Sequence, residues 1–209
     1  MSDKSPPSNK GANTTSSTTS STTIADYLSA LASRKSTPGG GAVAAMSGAQ
    51  AAALISMVAE LTKTFPDELT QPNVIKQATE AVQRFTELAD QDAAAFAALM
   101  QAYKNKTDIQ SGLQSAAAPP LACLELCAQL VEPLRVIHLH GNPNLITDTG
   151  IAALLLRDTI ISSELNVLIN LRSIEDELFK QTARATVETA KQHIALLDRM
   201  AADITHQLS

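Results

Sequence analysis

One carboxylate in the sequence stands where a hydrophobic side chain is expected. Six side chains recur at steps of three or four residues and share one helix face: Phe85, Leu88, Asp92, Phe96, Leu99 and Tyr103. Five are apolar, and the sixth is Asp92, whereas nearby Asp90 falls on a face that should meet water. An unpaired ionised carboxylate in a core costs several kcal/mol. The pattern therefore predicts either a buried Arg or Lys that pairs with Asp92, or a cavity in which Asp92 performs acid–base chemistry.

A run of three glycines precedes the most apolar segment of the chain. Gly39, Gly40 and Gly41 lead directly into residues 42–62, which consist almost entirely of small and apolar side chains. Glycine is the most costly residue to order, so three in a row require a reason. Either a tight turn needs positive φ, or part of a ligand approaches bare backbone N–H groups at a helix N-terminus. The sequence leaves both explanations open.

Further polar side chains lie in apolar surroundings near residues 147–170. Asn166 and Asn170 are four residues apart in a run that is otherwise apolar, and buried amides need hydrogen-bond partners. They either bind backbone carbonyls at a helix junction or line a polar pocket. Asp158 shares a helix face with apolar residues, which indicates a contact between helices or between subunits.

The thiols and imidazoles do not form a recognisable metal site. Cys123 and Cys127 are four residues apart, but no nearby His or Cys completes a tetrahedral set of ligands. The four histidines are scattered along the chain. We therefore expect no metal, and we expect two reduced core cysteines, which fit a cytoplasmic location.

Composition predicts an all-α fold. Hydrophobic residues make up 44% of the 209-residue chain, but aromatics only 3% and Trp is absent, so the core must be built from small aliphatic side chains. No segment alternates as a half-buried strand would. We predict one bundle of five to six helices over residues 24–209, preceded by a disordered Ser/Thr-rich tail at residues 1–23.

The predicted helices are long and their ends carry turn signals. After a short helix near Asp26, the predicted helices cover about 42–62, 73–104, 108–139, 147–170 and 173–206. The third of these five contains three prolines. Thr147 or Asp148 is the predicted N-cap of the fourth, and Ser173 that of the fifth. The segment 42–62 is long enough to span a bilayer, yet its alanine-rich composition favours a central bundle helix. We expect no membrane partner. A net charge of −5 argues against a nucleic-acid partner.

Four stretches together resemble the cyclodeaminase/cyclohydrolase family of one-carbon folate enzymes. They are TPGGGAVAA (37–45), DQDAAAFAALM (90–100), GNPNLITDTGIAALL (141–155) and LNVLINLRSIEDELF (165–179), in the family's order and at about its spacing. The similarity extends over nearly the whole chain from Ile24 onward. Each motif is weak alone, and the four in register are specific.

The resemblance implies an all-helical homodimer or higher assembly that needs no metal and no cofactor besides its tetrahydrofolate substrate. It implies that Asp92, the acid of the DAxAF motif, is the catalytic aspartate. The residues that it implies for the folate site are Gly39, Gly40, Gly41, Asp148, Asn166 and Asn170. The chain departs from the family at Ala42, where Ser is common. It also departs after the second helix, where KTFPDEL replaces a basic segment and Lys63 is the candidate contact for the folate's glutamate tail. After the long helix KNKTD replaces an LPK-like segment, with Lys104 and Lys106 as candidates.

The activity implied is the interconversion of 5,10-methenyltetrahydrofolate and 10-formyltetrahydrofolate, a cyclohydrolase reaction. The alternative within the family is formiminotetrahydrofolate cyclodeaminase, which releases ammonia. We expect the cyclohydrolase because no formiminotransferase domain is fused to the 209 residues. A different class of function, a non-catalytic folate-binding or helical scaffold protein, is favoured by the altered basic segment.

Overall fold

The computed structural model describes residues 22–68 and 70–209, in which all regular secondary structure is helical. The helices are α1 Ile24–Leu31, α2 Gly40–Glu60, α3 Thr70–Asn105, α4 Ile109–His140, a 3₁₀ turn Pro143–Leu145, α5 Ile146–Leu171, α6 Glu177–Lys191 and α7 Ile194–Gln207. This confirms the predicted all-α bundle. The long final helix of the prediction is interrupted at residues 192–193, so α6 and α7 replace it. The predicted tail lies outside the described residues except for Thr22 and Thr23, and the Thr23 hydroxyl caps α1.

Helix α2 forms the centre of the bundle and contacts α3, α4 and α5. Its alanines are buried on several sides, for example Ala42, Ala51 and Ala52, none of which has any exposed surface. By length and composition α2 could cross a membrane, but more than half of it is buried against the rest of the protein. Small side chains allow neighbouring helices to approach α2 closely, which is the packing that the alanine-rich sequence predicts.

Helices α2 and α3 pack antiparallel, with glycines on α2 facing larger side chains on α3. A Cβ built on Gly48 would lie 2.5 Å from Cε1 of Phe85, and one built on Gly41 would overlap the carboxylate of Asp92. The two glycines are seven residues apart on α2, and their two partners are seven residues apart on α3 in the opposite direction. Phe85 is fully buried and Tyr103 is 43% exposed. The stripe on α3 therefore begins in the core at Phe85 and ends at the surface at Tyr103, and the half-buried Asp92 lies between the buried Leu88 and Leu99.

Two helix starts differ from the sequence prediction because neighbouring polar groups set them. Asn142 Oδ1 accepts the Asn144 N–H at 3.0 Å and starts a 3₁₀ turn, so α5 already begins at Ile146, ahead of the predicted caps. Ser173 does not start α6, because Gln110 holds this connection. The Gln110 amide donates to the Ser173 carbonyl at 3.0 Å and accepts the Glu175 N–H at 2.9 Å. The cap is Asp176, which accepts the N–H of residue 179 at 3.0 Å.

Candidate functional site

The glycine run brings the carboxylate of Asp92 onto the start of α2. Gly41 is buried, and any side chain there would occupy the space taken by Cγ and both carboxylate oxygens of Asp92. None of the described glycines has positive φ, and Gly39 is extended with φ −132° and ψ −161°. A turn that needs positive φ is therefore not the reason for the glycine run, and the approach of a ligand to this backbone stays a prediction. The group that approaches within the chain is the side chain of Asp92.

Asp92 is half-buried, and a backbone N–H is directed at its carboxylate. Burial raises the pKa of the Asp92 carboxyl, while the Ala42 N–H directed at it opposes that rise, with a raised pKa as the net result. The N-terminus of α2 has no side-chain cap, so Asp92 supplies the negative charge that a helix N-terminus favours. Among the described residues no Lys, Arg or His forms an ion pair with Asp92. The permanent ion pair considered from the sequence is therefore not found, and the carboxylate remains able to exchange a proton.

A hollow of about 300 Å³ opens beside Asp92 between α2, α3, α4 and α5. It brings together six of the seven residues predicted for the site: Gly39, Gly40, Gly41, Asp92, Asn166 and Asn170. The glycines come from the start of α2 and the asparagines from the last two turns of α5. Residues that are far apart in sequence thus meet because α3 and α5 both pack against α2.

Asn166 and Asn170 do both things that the sequence left open: they bind backbone carbonyls and they line a hollow. The Asn166 amide nitrogen donates to the Ser162 carbonyl at 2.8 Å, and that of Asn170 donates to the Asn166 carbonyl at 2.9 Å. Because a carbonyl can only accept, each nitrogen faces the helix and each amide oxygen is turned away from it. The Asn166 oxygen lies 3.9 Å from the position of a Cβ on Gly40. The amides therefore bind backbone on one side and present acceptors to the hollow on the other.

A proline on α4 explains the second contact of Asn170. Pro120 has no N–H, so the carbonyl of Ala116, four residues earlier in α4, lacks its usual donor within the helix. The Asn170 amide donates to that carbonyl at 3.4 Å. The pairing fixes Asn170 between α4 and α5, and Ala116 itself lines the hollow. Pro120 therefore helps to orient a polar side chain of the site without disrupting α4, which continues to His140.

The chemical character of the hollow is acceptor-rich and partly apolar. Its lining carries the Asp92 carboxylate and two amide groups, and within the described residues it contains no Lys, Arg or His. Phe96, Leu99 and Ile169 supply apolar surface. Such a site suits a flat heterocycle that has N–H donors or delocalised positive charge, and Asp92 is placed to move a proton to or from it.

The Cys123 thiol, on α4, is poorly suited to nucleophilic chemistry. Cys123 on α4 is buried, and burial, followed by the negative charge of Asp92, raises the pKa of its thiol to about 12 despite the Ser163 hydroxyl beside it. Ser163 Oγ is buried and has no hydrogen-bond partner within the distance limits among the described residues. A thiol with that pKa stays protonated at neutral pH and is a poor nucleophile. Sequence spacing could not have shown that Cys123 and Asp92 are close, because Cys123 lies on α4 and Asp92 on α3.

Asp148 and Lys63 do not reach the hollow within one chain. Asp148 is in the first turn of α5 and Asn170 is in the last, so about 30 Å of helix separates them. Lys63 lines a different hollow of about 490 Å³ with His140 and Asn142, at the same end of the molecule as Asp148. The roles of Asp148 and Lys63 in folate binding stay predictions. Within residues 22–68 and 70–209 no group of three His, Cys, Asp or Glu is placed to hold a metal ion.

Comparison with known proteins places the chain among folate enzymes. A profile of the family described as formiminotransferase-cyclodeaminase matches residues 23–189. A methenyltetrahydrofolate cyclohydrolase of Methylorubrum extorquens is 35% identical over 173 residues, which is 76% of this chain and 83% of that protein. A formimidoyltransferase-cyclodeaminase of Sus scrofa is 35% identical over 196 residues, which is 84% of this chain but only 36% of that longer protein.

A solved structure shows the same architecture. The crystal structure of formiminotetrahydrofolate cyclodeaminase from Thermotoga maritima matches with a TM-score of 0.82 and 32% sequence identity, and the match covers 90% of this chain and 97% of that one. The resemblance drawn from the four motifs is thereby confirmed. This chain belongs to the formiminotransferase-cyclodeaminase family, whose members named here are one-carbon folate enzymes.

Proposed function

We propose that this protein interconverts 5,10-methenyltetrahydrofolate and 10-formyltetrahydrofolate, with Asp92 as the proton-transfer group. The observation that carries the proposal is the Asp92 carboxylate in a hollow lined by acceptors, where no described residue supplies a cationic side chain. The methenyl group is a cation spread over N5, N10 and the carbon between them, so such a lining favours it. The cyclohydrolase relative of M. extorquens, most of whose length the chain covers, supports this reaction over the alternatives.

The reaction needs one proton carrier. Water attacks the cationic methenyl carbon and the ionised Asp92 takes one of its protons, which leaves a neutral adduct with a hydroxyl on that carbon. The C–N5 bond then breaks, N5 receives the proton from Asp92, and loss of the hydroxyl proton gives the N10 formyl group. One proton is released overall. A carboxylate whose pKa is raised by burial is a stronger base for the first step than an exposed one, and it holds the proton until N5 departs.

In this proposal the folate is the only small molecule required, with no metal and no separate cofactor. The methenyl carbon is already cationic, so it needs no Lewis acid to activate it, and Asp92 moves the protons. Cys123 and Cys127 are buried free thiols, and we place the protein in the cytoplasm, where such thiols stay reduced.

The second candidate function is formiminotetrahydrofolate cyclodeaminase. The T. maritima structure of that name, at 32% identity, favours it. In that reaction N10 attacks a formimino carbon on N5 and ammonia departs, and the product is the same methenyl cation. The acceptor-rich hollow therefore suits both reactions. The third candidate, a folate-binding or scaffold protein without turnover, keeps the hollow but gives Asp92 no chemical role.

A direct assay separates the three. The purified protein is mixed with methenyltetrahydrofolate or with formiminotetrahydrofolate, and the absorbance of the methenyl group is followed. We expect the absorbance to disappear with the first substrate faster than in a protein-free control. Appearance of absorbance from formiminotetrahydrofolate alone would assign the cyclodeaminase reaction instead. Tight folate binding without either change would indicate the non-catalytic alternative.

We also propose that the protein is a homodimer built on the outer face of α5. Four apolar residues along this face are exposed: Ile151, Leu154, Leu165 and Ile169. Asp158 lies among them and pairs with Arg157 at 2.9 Å. A second copy related by a two-fold axis would lay its α5 antiparallel on this stripe, which is a self-complementary contact. The antiparallel arrangement would set the Asp148 end of one chain near the Asn170 end of the other, which would bring the partner's residue 148 to the hollow.

A substitution on the stripe tests the dimer. Leu165→Glu puts a charge on the most exposed of the four positions, at 65%, and leaves the hollow intact. We expect light scattering to give the mass of a dimer for the wild-type protein and of a monomer for this variant at micromolar concentration. Leu178→Glu is the matched control, because Leu178 is 73% exposed on α6, outside the stripe. A wild-type monomer, or an unchanged mass for the Leu165→Glu variant, would contradict the proposal.

A further inference from the structure

The hollow beside Asp92 suits only the heterocyclic head of a folate. Its volume of about 300 Å³ is at the lower end of the range for ligand pockets. The rest of a folate is an aminobenzoyl ring and a glutamate with two carboxylates. The described residues of the lining offer these carboxylates no Lys, Arg or His, and the Asp92 carboxylate would repel them. The glutamate end therefore needs a second space that adjoins the first.

A second hollow, of about 430 Å³, lies between α1 and the segment that leads from α1 to α2. We call it the α1 hollow, and its lining includes Tyr27, Lys35, Thr37 and Pro38. Thr37 also lines the Asp92 hollow, so the two spaces adjoin at this residue. Burial and then the negative charge of Asp92 raise the pKa of Tyr27, which agrees with this proximity. A ligand longer than either hollow can extend past Thr37 from one into the other.

The lining of the α1 hollow matches the chemistry of an aminobenzoyl-glutamate group. Tyr27 and Pro38 are half-buried and supply apolar surface for an aromatic ring. Lys35 is exposed, and its ammonium forms no ion pair with any described residue. Asp26 is the one acid among the described lining residues, and its carboxylate accepts the Thr23 hydroxyl at 2.7 Å. The Lys35 ammonium therefore remains available for an anionic group of a ligand.

The lysines that the sequence suggested for the glutamate tail line neither of these two hollows. Lys63 lies with His140 in a hollow at the Asp148 end of the molecule. Lys104 lies about 18 Å along α3 from Asp92. Lys35, in contrast, is two positions before Thr37, the residue that the α1 hollow and the Asp92 hollow share.

We propose that the α1 hollow is the subsite for the aminobenzoyl-glutamate part of the folate, with Lys35 bound to a glutamate carboxylate. The inference rests on the proposed folate function, and it holds for both candidate reactions because their substrates carry the same tail. The heterocycle would lie beside Asp92, and the aminobenzoyl ring would pack on Tyr27 and Pro38. The contact at Lys35 is remote from the reacting carbon, so it should stabilise substrate and transition state equally and act on KM rather than kcat.

The variant Lys35→Ala tests the inference on two substrates. One is methenyltetrahydrofolate, and the other is the same molecule with a neutral methylamide in place of the glutamate. We expect Lys35→Ala to raise KM for the first about fivefold, as the loss of one exposed charge pair predicts, with kcat changed less than about twofold. For the methylamide, the KM values of wild type and variant should agree within about twofold, because no carboxylate is present to pair with Lys35.

Two further variants serve as controls. Lys35→Arg keeps the charge and should recover most of the lost affinity. Arg34→Ala removes the adjacent exposed cation, which does not line the α1 hollow, and its KM should stay close to that of the wild type. Salt provides a further readout, since the difference between wild type and Lys35→Ala should narrow as ionic strength approaches about 1 M, where exposed charges are strongly screened.

The outcomes separate this inference from the proposed function. An active wild type whose KM is unaffected by Lys35→Ala would overturn the subsite and leave the proposed function standing. An equal rise in KM for the methylamide would overturn it too, because the loss would then not depend on the glutamate. A glutamate-dependent rise in Lys63→Ala but not in Lys35→Ala would place the tail elsewhere. A wild type without turnover would reject the proposed activity, and calorimetric Kd values for the two substrates would still test the subsite.

Discussion

Replacing Asp92 with asparagine is expected to lower kcat for methenyltetrahydrofolate by at least about 100-fold, the loss typical of removing a general acid–base group. Asparagine has nearly the same shape and can still accept the Ala42 N–H, so the geometry of α2 and α3 should persist. Steady-state rates from the decay of methenyl absorbance measure the effect. Folate binding, followed by fluorescence or calorimetry, should change far less than kcat, because the amide keeps an acceptor in the hollow.

The pH dependence of activity and of stability provides a second test of the role of Asp92. Burial raises the pKa of Asp92, so the acid limb of kcat/KM for the wild type should lie above the usual range of an aspartate, and activity should fall as pH drops through it. The sign for stability follows from the same shift. A carboxyl whose pKa is higher in the folded than in the unfolded chain destabilises the fold once it is ionised, and this cost disappears at acid pH. Asp92→Asn should therefore unfold at the same or a higher temperature at pH 7, with the difference narrowing as pH falls.

The neighbouring acid supplies the control. Asp90→Asn changes the same residue type two positions earlier on α3, and Asp90 does not line the hollow. Its kcat should stay within about twofold of the wild type, since the residue is outside the site. Equal loss of activity in Asp90→Asn and Asp92→Asn would mean that the total negative charge of α3 affects the rate and that Asp92 is not the proton carrier. Wild-type activity in Asp92→Asn would exclude Asp92 as the proton carrier.

The position of Asp92 could be predicted because helical periodicity is local. Phe85, Leu88 and Asp92 repeat at helical spacing, and the structure places all three on the side of α3 that faces α2. The all-α fold followed for a similar reason, since every long segment showed the helical pattern and none showed strand alternation. Periodicity also identified the pair Asn166 and Asn170 as sharing one face, which is the face that reaches the hollow.

Features that depend on contacts between distant segments were not predictable. The start of α6 depends on Gln110, which lies more than 60 residues earlier and holds the connection after α5. The orientation of Asn170 depends on a carbonyl of α4 that Pro120 leaves free. Tyr27 lies on a short helix at the edge of the bundle, and only the structure shows that its hydroxyl is shielded from solvent. In each case the sequence shows the side chain but not the segment that meets it.

The role of the glycine run also depends on a contact between distant segments, and this contact predicts a large loss of activity when one glycine is replaced. From the sequence, three glycines could serve a turn or a close approach, and all three positions looked alike. In the structure they differ. A Cβ on Gly39 would lie 3.7 Å from the Ser36 carbonyl and one on Gly40 would lie 3.9 Å from Asn166 Oδ1, both ordinary contacts. Only at Gly41 does the added carbon overlap the Asp92 carboxylate.

Gly41→Ala is therefore expected to lower kcat by at least about tenfold, while Gly40→Ala has a clearly smaller effect. The new methyl group must displace the carboxylate, which loses its position at the Ala42 N–H and with it the alignment that proton transfer needs. Stability should change little. Alanine gains about 1 kcal/mol over glycine in a helix, and the steric overlap costs about 1–3 kcal/mol, so the variant remains folded. Urea unfolding and methenyl turnover, measured on the same samples, separate the two effects.

The cause of that loss can be isolated in a background that lacks the carboxylate. In Asp92→Ala the space opposite residue 41 is empty, so adding Gly41→Ala should raise the free energy of unfolding by the helix propensity of alanine, about 1 kcal/mol. In the wild-type background the same change should be neutral or destabilising, and the difference between the two measures the contact directly. An equal effect of Gly41→Ala in both backgrounds would show that the third glycine is kept for a reason other than Asp92. The close approach of α2 to α3 would then not be what positions the Asp92 carboxylate.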